Sequence, residues 1–177
     1  MIKMLAGLVV LVALLLLLWV FFPPAALSSA DYKNISYEIN GSLIRLVDGT
    51  SDLPAAPGSA SHIVTRYFGN EAKGDVNGDG IPDIAFLMTQ EGGGSGTFYY
   101  VVAALQHADN SYSGTNGILL GDRIAPQTTE IRGGTIIVNY ADRAPGEPMS
   151  AAPSIGVSKY FRVSAAGSLE PAAAPTN

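Results

Sequence analysis

One acidic loop constrains the fold of this chain more than any other stretch of its sequence. Four side chains that carry oxygen atoms stand at positions 1, 3, 5 and 9 of the loop: Asp75, Asn77, Asp79 and Asp83. Alternate residues of a tightly coiled loop point inward, Gly80 permits the sharp turn at position 6, and the backbone carbonyl of Ile81 adds an oxygen at position 7. Every candidate donor is an oxygen, so the spacing predicts a site for a hard cation, and for Ca²⁺ in particular.

The residues that follow the loop distinguish it from an EF-hand. An EF-hand loop closes with a bidentate Glu at position 12 and continues into a helix. Here position 12 is Phe86, and it lies in the apolar run Ile84 to Thr89, which is typical of a strand. Asp83 is then the last side-chain ligand, directly or through water. The sequence therefore predicts a structural Ca²⁺ loop that leads into a β-strand.

A metal-free turn is the alternative interpretation of the same residues. Asn-Gly and Asp-Gly pairs are common in ordinary turns, where the Asn or Asp side chain bonds to its own backbone. Against this, the carboxylates of Asp75, Asp79 and Asp83 are crowded into one short loop and repel each other unless a cation neutralises them. The charge pattern favours the metal site.

Three features of residues 63–105 occur together: the pair Phe68-Gly69, the acidic loop, and a Gly-rich stretch at 93–96 that leads into Thr97-Phe98-Tyr99-Tyr100-Val101. In this combination the segment resembles a single FG-GAP (VCBS-type) repeat. Such repeats are blades of extracellular β-propellers whose loop binds Ca²⁺, and the resemblance implies that the four loop side chains are ligands. A propeller needs several blades, and this chain has one such loop, so we expect one blade-like unit in a smaller β domain.

Composition excludes several classes of function. The chain has 177 residues with 15 acidic and 10 basic side chains, and its net charge is −5. An acidic chain without a Lys/Arg cluster is a poor binder of nucleic acid. The Gly-rich stretch lacks the Lys-Ser/Thr pair and the helix of a phosphate-binding loop, which argues against nucleotide binding. Cysteine is absent, so disulfides, thiolate metal sites and cysteine nucleophiles are excluded.

The N-terminus has the pattern of an export or anchor element. Met4 to Phe22 carries no charge, and about 19 helical residues span roughly 28 Å, enough to cross a membrane. Lys3 precedes the stretch and Lys33 is the next basic residue, which predicts a cytoplasmic N-terminus and a domain outside. The length favours an uncleaved anchor, whereas the small residues Ser28-Ser29-Ala30 favour a signal peptide cleaved after Ala30.

Alternating apolar residues and turn pairs predict short antiparallel strands along the rest of the chain. A hairpin is predicted across Asn40-Gly41, and the Ser-, Pro- and Ala-rich residues 51–61 predict a loop. A helix over 59–68 is the alternative to the strand at 63–68, because its apolar residues also fit a 3.6-residue period. The predicted strands are 35–39, 43–47, 63–68, 84–89, 98–105, 118–120, 128–132, 135–140 and 156–163.

The two histidines, His62 and His107, are the only candidates for acid–base catalysis by imidazole. A serine hydrolase would need one of them in a pocket beside a serine and a carboxylate, and no Gly-x-Ser-x-Gly turn is present. The sequence therefore favours a protein that is not an enzyme. An envelope hydrolase stays as one alternative, and an inhibitor or accessory subunit of an envelope enzyme stays as another.

Taken together, the sequence predicts a mainly β chain: a small antiparallel β-meander or sandwich-like domain behind an N-terminal transmembrane or signal helix. Residues 1–30 are the anchor or signal peptide, 31–165 an extracytoplasmic β domain, and 166–177 a disordered tail. The predicted function is non-catalytic, a binding or structural role at a bacterial cell envelope with a structural Ca²⁺ loop. The domain is expected in the periplasm or extracellular space, anchored in the inner membrane or secreted. Its expected partners are the membrane and an envelope protein or glycan.

Overall fold

A computed structural model describes residues 31–175, and these residues form antiparallel β-sheets, as predicted. One 3₁₀ turn, Tyr32–Asn34, precedes the strands. The strands are β1 Ser36–Ile39, β2 Ser42–Arg45, β3 Thr50–Pro54, β4 His62–Gly74, β5 Asp83–Glu91, β6 Phe98–Gln106, β7 Tyr112–Gly114, β8 Ile118–Asp122, β9 Ala125–Arg132, β10 Thr135–Asp142, β11 Ile155–Val163 and β12 Leu169–Pro171. The predicted anchor or signal helix at 1–30 lies outside the described residues. Within 31–175, no helix is long and apolar enough to cross a membrane.

The strands form three layers. The central sheet has the order β3-β4-β5-β6-β7, with β8 paired to the other end of β6. A four-stranded sheet, β12-β11-β10-β9, covers one face of the central sheet, and the β1–β2 hairpin covers the other. The hairpin turns at Asn40 (φ 52°) and Gly41 (φ 76°), the pair of positive φ angles that a tight two-residue β-turn requires.

Burial on both faces explains the apolar runs of β5 and β6. Along β5, Ala85 and Leu87 pack against the four-stranded sheet, while Phe86 and Met88 pack against the hairpin. Successive side chains of a strand point to opposite faces, so a central strand between two layers must be apolar at every position. The register places the start of β5, and with it the acidic loop, beside the end of β6.

Strand β4 is long because it bends instead of ending. Its pairing with β5 shifts register on both sides of Gly69, where Gly69 (φ 107°) and Asn70 (φ 57°) have positive φ. Beyond the bulge, β4 packs against β9: a Cβ at Gly74 would lie 2.9 Å from Cγ2 of Ile131. The bend carries the chain from the outer part of the sheet into the acidic loop. The strand predicted at 63–68 is confirmed, and the helix alternative over 59–68 is wrong.

Two predictions about irregular segments are corrected. Residues 51–61 are not entirely loop, since Thr50–Pro54 pair with β4 as the edge strand β3. The C-terminal tail from 166 is not wholly disordered, since Leu169–Pro171 pair with β11 and Leu169 is buried in the core. Both segments have few apolar residues, and their order comes from pairing with a neighbouring strand, which local sequence does not reveal.

Candidate metal centre

The acidic loop connects the bent strand β4 to the central strand β5, and Asp75 organises its first turn. Its Oδ1 accepts a hydrogen bond from the backbone N–H of Gly78 (2.7 Å), and its Oδ2 accepts one from Gly80 (2.9 Å). These N–H groups lower the pKa of the Asp75 carboxyl. The carboxylate at position 1 is therefore held ionised at the centre of the loop.

The side chains of Asn77 and Asp79 also accept backbone N–H groups of the loop. Asn77 Oδ1 accepts from the N–H of Asp79 (3.0 Å), and Asp79 Oδ1 accepts from the N–H of Ile81 (2.7 Å). The side chains also meet each other, since Asn77 Nδ2 donates to Asp79 Oδ2 (3.1 Å). Both residues are exposed to solvent. Each oxygen has a second lone pair that these bonds leave free, so the positions 1, 3 and 5 retain the capacity to bind a cation.

Asp83 has a different environment from the other three side chains. It is fully buried, with 0% of its surface exposed. Its Oδ2 accepts from the N–H of Val76 (2.9 Å) and its Oδ1 from the N–H of Gln106 (2.9 Å). Asp83 thus ties the start of the loop to the end of β6. Val76 itself is buried in the core cluster beneath the four-stranded sheet, so the loop is anchored at both ends.

Burial also shifts the pKa of Asp83. It raises the pKa of this carboxyl above its usual range, and the nearby negative charges of Asp79 and Asp75 raise it further, while the two backbone N–H groups lower it. The charges of Asp75 and Asp79 therefore act on the Asp83 carboxyl across the loop. A cation bound beside Asp75 and Asp79 would oppose this effect, because it favours the ionised form of each carboxyl.

The donor set fits a hard cation in its chemistry. The carboxylates of Asp75 and Asp79, the amide oxygen of Asn77 and the carbonyl of Ile81 are all oxygen donors, as Ca²⁺ requires. Asp83, the fourth predicted side-chain ligand, is instead buried, and both of its oxygens accept backbone N–H groups. In the part of the chain that the structure describes, no three His, Cys, Asp or Glu side chains converge on one point as metal ligands. Calcium binding thus calls for the exposed side chains of Asn77 and Asp79 to turn toward Asp75, while Asp83 stays in place as an anchor.

A second polar cluster lies on the opposite side of the central sheet. The hydroxyls of Tyr32 and Tyr67 both donate to Oε1 of Glu71, and the ammonium of Lys33 lies 4.0 Å from the ring centroid of Tyr67. Burial and the hydrogen bond to Glu71 raise the pKa of Tyr67 to about 12. Burial raises the pKa of the Glu71 carboxyl, but the hydrogen bonds from the two tyrosines outweigh it and the net shift is downward. This cluster joins the 3₁₀ turn to β4.

The histidines do not form a catalytic triad. His62 lines a cleft together with Ser61, and its Nδ1 lies 2.5 Å from Oδ1 of Asp52. His107 Nε2 lies 2.9 Å from Oγ of Ser113. Among the described residues, neither imidazole connects a serine and a carboxylate through hydrogen bonds. The geometry gives no support to the hydrolase alternative.

The loop could be predicted from the sequence, but the roles of several residues could not. Asp83 was predicted as an ion ligand, whereas its bonds to Val76 and Gln106 depend on a strand far away in sequence. The role of Glu71 has no local signal in the sequence. Comparison of the chain with protein-family models, with curated proteins and with solved structures finds no match.

Proposed function

We propose that this chain is a non-catalytic extracytoplasmic β domain, with a binding or structural role at the cell envelope, whose loop at 75–83 binds Ca²⁺. The observation that carries the proposal is the winding of this loop around the Asp75 carboxylate. Both of its oxygens accept backbone N–H groups of the loop, and the two exposed donors Asn77 and Asp79 follow at alternate positions. The charge-free stretch from Met4 to Phe22 supports a location where Ca²⁺ is plentiful.

The role of the ion follows from the position of the loop. Bound Ca²⁺ would supply positive charge where Asp75 and Asp79 repel each other. The loop enters the core through Val76 and enters β5 through Asp83, so an ordered loop fixes the start of the central strand. An ion that binds the folded chain and not the unfolded chain stabilises the fold by mass action. The ion would thus be a structural element and the fold would stay the same.

Isothermal titration calorimetry of the full chain, stripped of metal with EDTA, tests the proposal. We expect one site with a dissociation constant of about 10⁻⁴ to 10⁻³ M, the range of extracellular Ca²⁺ modules. Replacing Asp79→Asn removes a carboxylate ligand and is expected to weaken binding at least about tenfold, which corresponds to about 1.4 kcal/mol.

Asp109→Asn is the matched control. Asp109 also stands in an exposed turn and accepts a backbone N–H, that of Ser111 at 2.9 Å, but it lies outside the loop. Its substitution should leave Ca²⁺ binding unchanged. Absence of binding heat in the parent chain would refute the proposal, and an equal loss in both variants would show that binding is nonspecific.

A further inference from the structure

The central sheet carries an open polar face beyond the end of the four-stranded sheet. Asp52, Val64 and Glu91 are register partners across β3, β4 and β5, so their side chains share one face. Glu91 follows Leu87 at two-residue steps, which places this row on the same face as the buried aliphatic core. The four-stranded sheet covers Leu87 but leaves the Glu91 side chain 45% exposed. We call this region the open face.

The carboxylates of the open face already have hydrogen-bond partners. Arg66 Nη1 lies 3.0 Å from Oε2 of Glu91, and His62 Nδ1 lies 2.5 Å from Oδ1 of Asp52. Glu91 also accepts from Oγ1 of Thr97 (3.2 Å). The face therefore presents fixed donors and acceptors without a large excess of either sign. Such a surface has little to attract a strongly charged ligand such as a polyanion.

An aromatic pair borders these polar groups. Phe68 and Tyr99 contact each other edge to face, with ring centroids 5.2 Å apart. Tyr99 is the register partner of Thr89, and Thr89 is the register partner of Arg66. The two aromatic rings are therefore close to the Arg66–Glu91 ion pair. Phe68 is 46% exposed, so part of its ring faces the solvent. An exposed ring held rigidly by a second ring is a surface on which a ligand can stack.

A cleft completes the open face. It has a volume of about 650 Å³ and is lined by His62, Val64, Glu91 and the Gly-rich residues 93–97. The volume falls within the range of sites for small ligands. Its lining offers carboxylate, imidazole, hydroxyl and backbone groups to a ligand.

We propose that the open face binds a neutral oligosaccharide. A sugar ring has an apolar C–H face that stacks on an aromatic ring, and hydroxyls that bond to paired, fixed polar groups such as Glu91 and Arg66. Paired charges suit a neutral, hydroxyl-rich ligand and disfavour a charged one. The inference deepens the proposed envelope function, on which it rests, by naming the surface and the class of ligand.

The test is calorimetric titration of the full chain, in a detergent without a sugar headgroup, with maltohexaose, cellohexaose and N-acetylchitohexaose. Hexagalacturonate serves as the anionic comparison. We expect at least one neutral oligosaccharide to bind with a dissociation constant of about 1 mM or tighter. Phe68→Ala and Glu91→Gln should each weaken that binding at least about tenfold, equivalent to about 1.4 kcal/mol.

Leu43→Ala is the matched control, because Leu43 is also a large apolar side chain that is exposed (74%), but it lies on β2 of the hairpin that covers the other face of the central sheet. It should bind the sugar like the parent chain. Binding of hexagalacturonate alone, binding of none of the probes, or equal losses in all three variants would overturn the inference. Calcium titration of the same samples distinguishes failure of this inference from failure of the proposed function. If Ca²⁺ binds but no sugar does, only the assignment of the open face is refuted.

Discussion

The two sides of the central sheet are held by different chemistry. Beneath the four-stranded sheet the core is mainly aliphatic, and Val76 of the acidic loop belongs to it. Beneath the β1–β2 hairpin the core also contains an aromatic cluster, in which Phe86 contacts the rings of Tyr32, Tyr37 and Tyr67. The aliphatic side is thus connected to a candidate ion site, and the aromatic side is connected to the tyrosine–Glu71 cluster.

The two sides of the sheet are therefore expected to respond to different solution variables. An ion bound in the acidic loop would act on the side that contains Val76. Protons act on the other side, where the hydroxyls of Tyr32 and Tyr67 donate to Glu71 and the ammonium of Lys33 lies over a ring. The effects of substitutions on the two sides should therefore differ in size. They should also depend on different solution variables, the Ca²⁺ concentration on one side and the pH on the other.

The largest expected effect comes from the ring at the centre of the aromatic side. Phe86→Ala removes a fully buried ring, and we expect a loss of about 3–5 kcal/mol in the free energy of unfolding. Leu87→Ala, its neighbour on the opposite face, is the matched comparison, with an expected loss of about 2–5 kcal/mol. Hydrogen exchange should show faster opening of β1–β2 in the first variant and of β9–β10 in the second. Identical exchange patterns would contradict the separation of the two sides.

A smaller effect separates the anchor of the loop from its exposed ligands. Asp83→Ala leaves the buried N–H group of Val76 and the partly buried N–H group of Gln106 without acceptors, and we expect a loss of about 2–4 kcal/mol in the free energy of unfolding without any Ca²⁺. Asp79→Ala, at an exposed position, should cost within about 0.5 kcal/mol under the same conditions. Urea unfolding in EDTA measures both. Equal losses would mean that Asp83 has no special role as an anchor.

The smallest effect concerns the tyrosine cluster and pH. The pKa of Tyr67 is raised to about 12 in the folded chain, above the value of about 10 for an unfolded tyrosine. Its contribution to stability is therefore complete below pH 10 and is lost as the pH rises through 12. Tyr67→Phe should lower the free energy of unfolding by about 1 kcal/mol or less at neutral pH. It should also reduce the loss of stability at alkaline pH. Melting curves from neutral to strongly alkaline pH measure this, and an unchanged pH profile would count against the cluster.

The sequence predicted elements that have strong local signals. The Asn40-Gly41 turn and the apolar runs of β5 and β6 identified the first hairpin and the central strands. The strand β3 has only one buried residue, Ser51, and β12 only Leu169, so neither has a pattern of its own. Their order depends on partners that only the fold brings near.

The candidate site, like the strands, was predictable only where its signal in the sequence is local. Spacing alone located Asp75, Asn77 and Asp79, because a loop ligand pattern is local. Spacing did not separate Asp83 from them, because its burial results from the packing of the loop against β6. The open face was not predictable, since register between β3, β4 and β5 determines which side chains meet there.

The central claim is that Ca²⁺ stabilises the fold through the acidic loop. The direct measurement is the melting temperature of the full chain as a function of free Ca²⁺, compared with EDTA, for the parent chain and Asp79→Ala. We predict that the melting temperature of the parent chain rises with concentration, as mass action on the folded state requires, and that Asp79→Ala abolishes the rise. A melting temperature that is the same in Ca²⁺ and in EDTA would contradict the claim.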